Sequence, residues 1–539
     1  MAKALMIQGT CSGAGKSVIV AGLCRIFRDM GLNVAPFKAQ NMALNSFITK
    51  EGGEIGRAQA FQAQAARIEP CNDMNPILLK AVNPSGCQVI LNGKVHSNMK
   101  AAEYYSFKDE AWNAVTSAYD RLSEKYDVIV IEGAGSPAEI NLQEQEVVNM
   151  SVARYANAPV VLVGDIDKGG VFASFYGTVE LLKDSSKSSN CSRIGKPCDA
   201  DYIKAFIVNK FRGDMDILRP GLRMIEDKTG RLVIGVLPYV RDINLPEEDG
   251  LALQDARCRM QDARSKSIKI VVLKLNYIAN FTDLDPFMYE PDVELNYSLS
   301  EEDFNNADLI IIPGSKNTVS DLLSLRQNGV EESIKHAVQK GIPVAGICGG
   351  YQMLGRRIID PFGIESGHKE VEGLGLLDIE TVLEKTKVTS QVEAEIASSS
   401  SLFNIVQNSS NCDLKNIKGY EIHMGVSTGD IGLLRFSRLT PYDSHFTVVM
   451  DGSQKGNVWG TYLHGIFDND GFRTALLNSL RVKKGLPEKG EAVNYSACRE
   501  DAIKKWADIM RNSVDICFIL RLLNLDAKCC KEYQMQGEL

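Results

Sequence analysis

The stretch "KALMIQGTCSGAGKS", Lys3 to Ser17, decides the fold. Ala4 to Ile7 are all apolar, a glycine-rich turn follows, and Lys16 and Ser17 open a run with helical spacing. A strand that passes through a tight glycine loop into a helix begins an α/β layer. The same order returns along the chain in "YDVIVIEG", "APVVLVGD", "IKAFIVNK", "KIVVLKL", "DLIIIPG" and "IPVAGIC". These runs are continuously apolar rather than alternating, which predicts strands covered on both faces of a parallel sheet. The expected fold class is α/β, with mainly parallel sheets flanked by helices.

At 539 residues the chain is too long for one core. The reading is a P-loop domain over 1–240, a linker over 241–269, a second α/β domain over 270–490, and a C-terminal helical segment and tail over 491–539. The linker begins at "RDINLPEEDG" and ends where a new strand opens at Ile270. The polar stretch from Ser185 to Asp201 and the segment "IASSSSLFNIVQNSSNCD" read as surface loops, and the tail after Lys528 as frayed. A net charge of −8 argues against nucleic acid and acidic membranes as partners. No apolar run is long enough to span a bilayer, and "MAKALMIQGT" reads as a first strand rather than a leader. The 13 cysteines form no CxxC pair, so neither a disulfide framework nor a zinc site is expected, and the expected setting is a reducing cytoplasm.

"GTCSGAGKS", Gly9 to Ser17, is a phosphate-binding loop whose spacing is shifted by one: Thr10 stands where the first glycine usually falls. Gly13 and Gly15 let backbone N–H groups curl around phosphate oxygens, and Lys16 can reach the β- and γ-phosphates of ATP. Ser17 can ligate Mg²⁺, and Glu132, ending the strand in "YDVIVIEG", can hold the same ion. Asn209, at the end of the strand in "IVNKFRGD", is a candidate for recognising the base.

The second constellation is "VAGICGGYQMLG", Val344 to Gly355. Gly346-Ile347-Cys348-Gly349-Gly350 has the spacing of a nucleophile elbow, which exposes the thiol and aims the next backbone N–H, that of Gly349, at a developing oxyanion. Gly314 and Ser315, in "IIIPGSKNT", end another strand where a second N–H could point. The chain has only 6 histidines. His464, in "GTYLHGIFDND", is the expected base, and His423, in "GYEIHMG", is the rival.

These residues resemble known families. Gly346, Cys348, Gly350 and Gln352 fit the G-x-C-x-G-x-Q motif of class I glutamine amidotransferases, and the shifted loop is similar to that of the dethiobiotin synthetase group. The two halves in this order resemble the cobyric acid synthase family, through "PFKAQNMALNS", "GEIGRAQAFQAQAA", "EGAGSPAEINL", "GDIDKGGVFAS", "NFTDLDP" and "PGSKNT".

The resemblance implies ATP- and glutamine-dependent amidation of the b, d, e and g carboxylates of adenosylcobyrinic acid a,c-diamide. Cys348 and His464 would release ammonia, with Gln352 and Gly314 binding glutamine. Lys16, Ser17, Glu132 and Mg²⁺ would orient ATP to make acyl phosphates. Lys38, Gln40, Asn41 and Asn45 would contact substrate or phosphate, and Asn209 would face adenine.

Some positions depart from the pattern. Ile466 stands where many amidotransferases carry a glutamate that orients the histidine, so the third member of the Cys-His site has no candidate. Glu146 replaces an aspartate, and 185–198 reads as an insertion. A sibling a,c-diamide synthase would carry an acidic segment after "PFK", and a partition-type ATPase would carry a second loop lysine where Ser12 stands. A scaffold with a dead glutaminase is disfavoured by the intact Cys348, Gln352 and His464.

Overall fold

The computed structural model describes residues 1–83, 86–142, 146–184, 197–240, 243–245, 267–397, 416–439 and 447–525. Most of the expected linker, most of both expected loops and the tail lie outside these residues. The end of the first loop is described and differs from its reading: Asp199–Tyr202 is a short helix. Asp201 accepts from the Cys198 backbone N–H at 2.8 Å, which closes a capping turn.

The first half is built on six parallel strands. Their spatial order is Leu232–Pro238, Ile203–Phe211, Val160–Asp165, Lys3–Gly9, Val128–Glu132 and Val34–Phe37. The middle strands are buried along nearly their whole length, as their unbroken apolar runs require. Because all six run the same way, Gly9, Glu132, Asp165 and Asn209 come to one edge of the sheet. That edge is where open α/β sheets bind ligands. A second sheet pairs Gln40–Met42, Ile77–Asn83, Gly86–Leu91 and Lys94–Lys100 and faces the other half.

The second half has its own largely parallel sheet. At its centre lie Leu309–Ile312, Val344–Ile347 and Val458–Thr461. It also carries a mainly antiparallel sheet around the long strand Ile379–Ile396, which was not expected from the sequence. That strand alternates buried and partly exposed positions along most of its length, the pattern of a sheet with one face turned outward.

The C-terminal helix Tyr495–Ser513 returns to the first half and packs on the loop helix Lys16–Asp29. Trp506 donates its indole N–H to the Val18 carbonyl at 2.7 Å, and Glu500 accepts from both terminal guanidinium nitrogens of the buried Arg25. The helices meet closely at Gly22, where a Cβ would fall 2.1 Å from Met510 Sδ.

Candidate active sites

The phosphate loop enters its helix through Gly15, whose φ of 97° is a left-handed value open to glycine. Space enforces the same choice: a Cβ there would sit 2.1 Å from Asn209 Nδ2. Asn209 lies under the loop and donates to the Ala14 carbonyl at 2.8 Å. Lys210 donates to the Gly13 carbonyl and pairs with Asp165 at 3.0 Å. The Thr10 N–H donates to Val163, which ties the loop to the sheet. Lys16 lies across the loop, donating to the carbonyls of Cys11 and Gly135 at 3.0 and 3.1 Å.

Glu132 is the hub of this site and is fully buried. Its carboxylate accepts from Ser17 Oγ at 2.8 Å and from Lys38 Nζ at 2.9 Å on one oxygen, and from Gln62 and Gln59 on the other. Of the residues expected to contact substrate, Lys38 therefore touches Glu132 directly, and Asn41 reaches it through Gln59 at 3.0 Å. Gln40 instead accepts from the Tyr104 hydroxyl. Asn45 lies between the halves, where its side-chain oxygen accepts from the Phe281 N–H at 3.1 Å. Glu146 accepts from the backbone N–H groups of Val148, Asn149 and Ser151, so its carboxylate shapes the start of the helix Met150–Tyr155. Among the described residues no group of three His, Cys, Asp or Glu side chains forms a resident metal site.

In the second half, Cys348 has φ 52° and ψ −107°, a left-handed backbone that costs about 1–3 kcal/mol in a non-glycine residue. The turn is held by the Cys348 N–H on Thr461 O and by the Gln352 N–H on Cys348 O. It is tight because its glycines have no room for side chains. A Cβ on Gly350 would meet the Ile312 carbonyl at 2.0 Å, and one on Gly349 would come 2.8 Å from the Ser315 nitrogen. The backbone nitrogens of Gly349 and Ser315 thus belong to one corner of the site. Gln352 is fixed by Thr318 and Tyr462 at 3.2 and 3.1 Å. Gly314 packs against His464, whose Cε1 would lie 3.3 Å from an added Cβ.

His464 is 1% exposed, so its partners set its chemistry. Its Nδ1 lies 2.6 Å from Asp283 Oδ2, and since a carboxylate only accepts, that nitrogen carries the proton. Asp283 also accepts from the Gly465 N–H, which fixes the ring's orientation. Burial pulls the His464 pKa down, but the Asp283 carboxylate and the neighbouring Cys348 sulfur outweigh it and raise the pKa to about 10. Asn280 approaches Nε2 at 3.4 Å while its oxygen accepts from the Ser46 N–H of the first half. His423 is held by Gly425 and Glu421 and stacks on Tyr462.

Asp283 is the carboxylate that orients His464, a position for which the sequence offered no candidate. It lies 181 residues before the histidine, in the 3₁₀ helix Phe281–Tyr289. The block "NFTDLDP" was the available signal, but it offers Asp283 and Asp285 without choosing between them.

Comparison with known proteins agrees with this two-part geometry. Residues 5–253 match the family described as the CobQ/CobB/MinD/ParA nucleotide binding domain. Residues 269–472 match the CobB/CobQ-like glutamine amidotransferase domain. The chain is 45% identical to a cobyric acid synthase of Thermodesulfovibrio yellowstonii over 96% of its own length and 98% of that protein. It is 46% identical to one from Clostridium botulinum, covering 97% and 100%. It is 47% identical to one from Photorhabdus laumondii, covering 96% and 97%. With a nucleotide-binding half followed by a glutamine amidotransferase half, the chain belongs to the cobyric acid synthase family of ligases.

Proposed function

We propose that the chain converts the b, d, e and g carboxylates of adenosylcobyrinic acid a,c-diamide to amides, with glutamine as nitrogen donor and one ATP per amide. The observation that carries this reading is His464 held by Asp283 next to Cys348, in a chain that also carries a complete phosphate loop and is so similar to cobyric acid synthases.

Cys348 Sγ attacks the glutamine carboxamide carbon, and the C=O π electrons move onto oxygen. The N–H groups of Gly349 and Ser315 hold that oxyanion, a contribution usually worth about 3–4 kcal/mol per donor. His464 gives its Nε2 proton to the departing nitrogen, the C–N bond breaks, and ammonia leaves a thioester. His464 then takes a proton from water, hydroxide attacks the thioester, and glutamate leaves. Asp283 keeps the imidazolium oriented through both steps.

In the first half a substrate carboxylate oxygen attacks the γ-phosphorus of ATP and ADP leaves. Ammonia attacks the resulting acyl phosphate carbon, and phosphate leaves as the amide forms. Lys16 lies where it can swing from the loop carbonyls onto phosphate oxygens, and Lys38 sets charge beside Glu132. Ser17 Oγ and Glu132 Oε1 are adjacent hard oxygen donors that suit Mg²⁺ arriving with ATP, and the ion would neutralise phosphate charge there. The test is to incubate the protein with Mg-ATP, glutamine and the a,c-diamide and to follow corrinoid mass against ADP release. Stepwise conversion of four carboxylates at one ADP each supports the reading. ATP hydrolysis without any change in corrinoid mass refutes it.

A further inference from the structure

The cavity that holds Cys348 is walled by both halves of the chain. Its lining includes three lysines. Lys80, on the strand Ile77–Asn83 of the first half, and Lys387, on the long strand Ile379–Ile396, take one oxygen each of the buried Glu54, at 2.8 and 2.5 Å. Lys316, next in the chain after Ser315, makes no ion pair among the described residues. Its ammonium is 3.3 Å from the side-chain oxygen of Gln88, which also comes from the first half. Glu365 lines the same cavity and accepts from the Val319 N–H at 3.2 Å.

Lys316 is partly covered in the cavity wall, and among the described residues its ammonium hydrogen-bonds a neutral amide rather than a carboxylate. Burial pulls the Lys316 pKa down and Lys80 pushes it further. Burial likewise lifts Glu365 to about 7 although Lys316 opposes it. Each group is held in a site that disfavours its charge, and their attraction for one another only partly offsets this. The wall thus offers one cation and one anion to a small zwitterion. It does so near the nucleophile, since a thiolate at Cys348 is among the charges that act on Lys316. In glutamine the carboxamide and α-carboxylate carbons are four bonds apart, roughly 5 Å from standard bond lengths.

We propose that Lys316 receives the α-carboxylate of the glutamine whose carboxamide faces Cys348, that Glu365 receives its α-ammonium, and that Gln88 of the first half positions Lys316. The inference rests on the glutaminase reading of Cys348. It makes the nucleotide-binding half part of the glutamine site, so the two half-reactions share a wall.

The test measures ammonia release from glutamine and from two analogues. One is 4-aminobutyramide, which lacks the α-carboxylate, and the other is glutaramate, which lacks the α-amino group. Charged hydrogen bonds of this kind predict a 10- to 100-fold loss of kcat/KM for glutamine in Lys316→Met, carried by KM, with partial return in Lys316→Arg. Lys316→Met loses the wild-type preference for glutamine over 4-aminobutyramide, and Glu365→Gln loses the preference over glutaramate. Gln88→Leu raises KM for glutamine with kcat held. Circular dichroism and the thermal midpoint establish that each variant is folded. Unchanged KM and unchanged analogue preference in folded Lys316→Met and Glu365→Gln overturn the inference while leaving the Cys348 reading intact. A wild-type protein that releases no ammonia from glutamine removes that reading, and this inference with it.

Discussion

Asp283→Asn separates the two half-reactions by the smallest change available. The amide keeps the shape and can still accept from the Gly465 N–H, but it removes the charge 2.6 Å from His464 Nδ1. The His464 pKa, raised from 6.5 to about 10 despite burial, corresponds to roughly 5 kcal/mol of preference for the imidazolium at 1.36 kcal/mol per tenfold. The sign follows from the direction. A raised pKa contributes stability that is fully present below pH 6.5 and is lost as pH rises through about 10. Asparagine removes the largest compensation for burial and leaves only the Cys348 sulfur to oppose it, so the His464 pKa falls and its tautomer is no longer fixed. Only part of the preference enters the transition state, and a fall of about 10²- to 10⁴-fold in glutamine-dependent kcat is expected. The assay is glutamate release against pH, with ammonium-driven corrinoid amidation measured alongside. The alkaline limb of the wild-type profile should lie near pH 10 and move down in the variant. Glutaminase activity within two-fold of wild type, or an equal loss of the ammonium-driven reaction, would refute the role assigned to Asp283.

Other outcomes follow from the same geometry. Gly349→Ala places a methyl 2.8 Å from the Ser315 nitrogen and should lower glutaminase kcat by about 10²- to 10³-fold, read as glutamate release. Lys16→Ala and Glu132→Gln should each cut amidation at least about 100-fold whether glutamine or ammonium supplies nitrogen, with glutamate release much less affected. Trp506→Ala removes a buried indole and its bond to Val18, costing about 3–5 kcal/mol, which a urea titration of tryptophan fluorescence and circular dichroism would register.

The parallel sheets were legible because strands covered on both faces have no polar positions to hide them, as "VIVIE" and "LIII" illustrate. Both the tight turn at Cys348 and the phosphate loop were legible for a related reason: tight turns demand glycine at fixed spacings, and a Cβ at Gly15 or Gly350 would fall about 2 Å from a neighbouring atom. The antiparallel sheet was missed because "VTSQVEAEI" alternates and carries charge, so it lacks the continuous apolar run that marked the other strands. Asp283 was missed because a histidine's orienting carboxylate is chosen by three-dimensional approach. Nothing local in "NFTDLDP" separates it from Asp285, which burial pushes up to about 7 instead. The return of the C-terminal helix to the loop helix was equally invisible, since only the tertiary fold brings Glu500 to Arg25 across 475 residues.

The most direct test of the account is the corrinoid product mass from Cys348→Ala, supplied in parallel reactions with glutamine or with ammonium and Mg-ATP in both. The account predicts no amidation from glutamine and stepwise amidation from ammonium. Amidation of the corrinoid from glutamine by this variant, or failure with ammonium while the wild type succeeds, would contradict it.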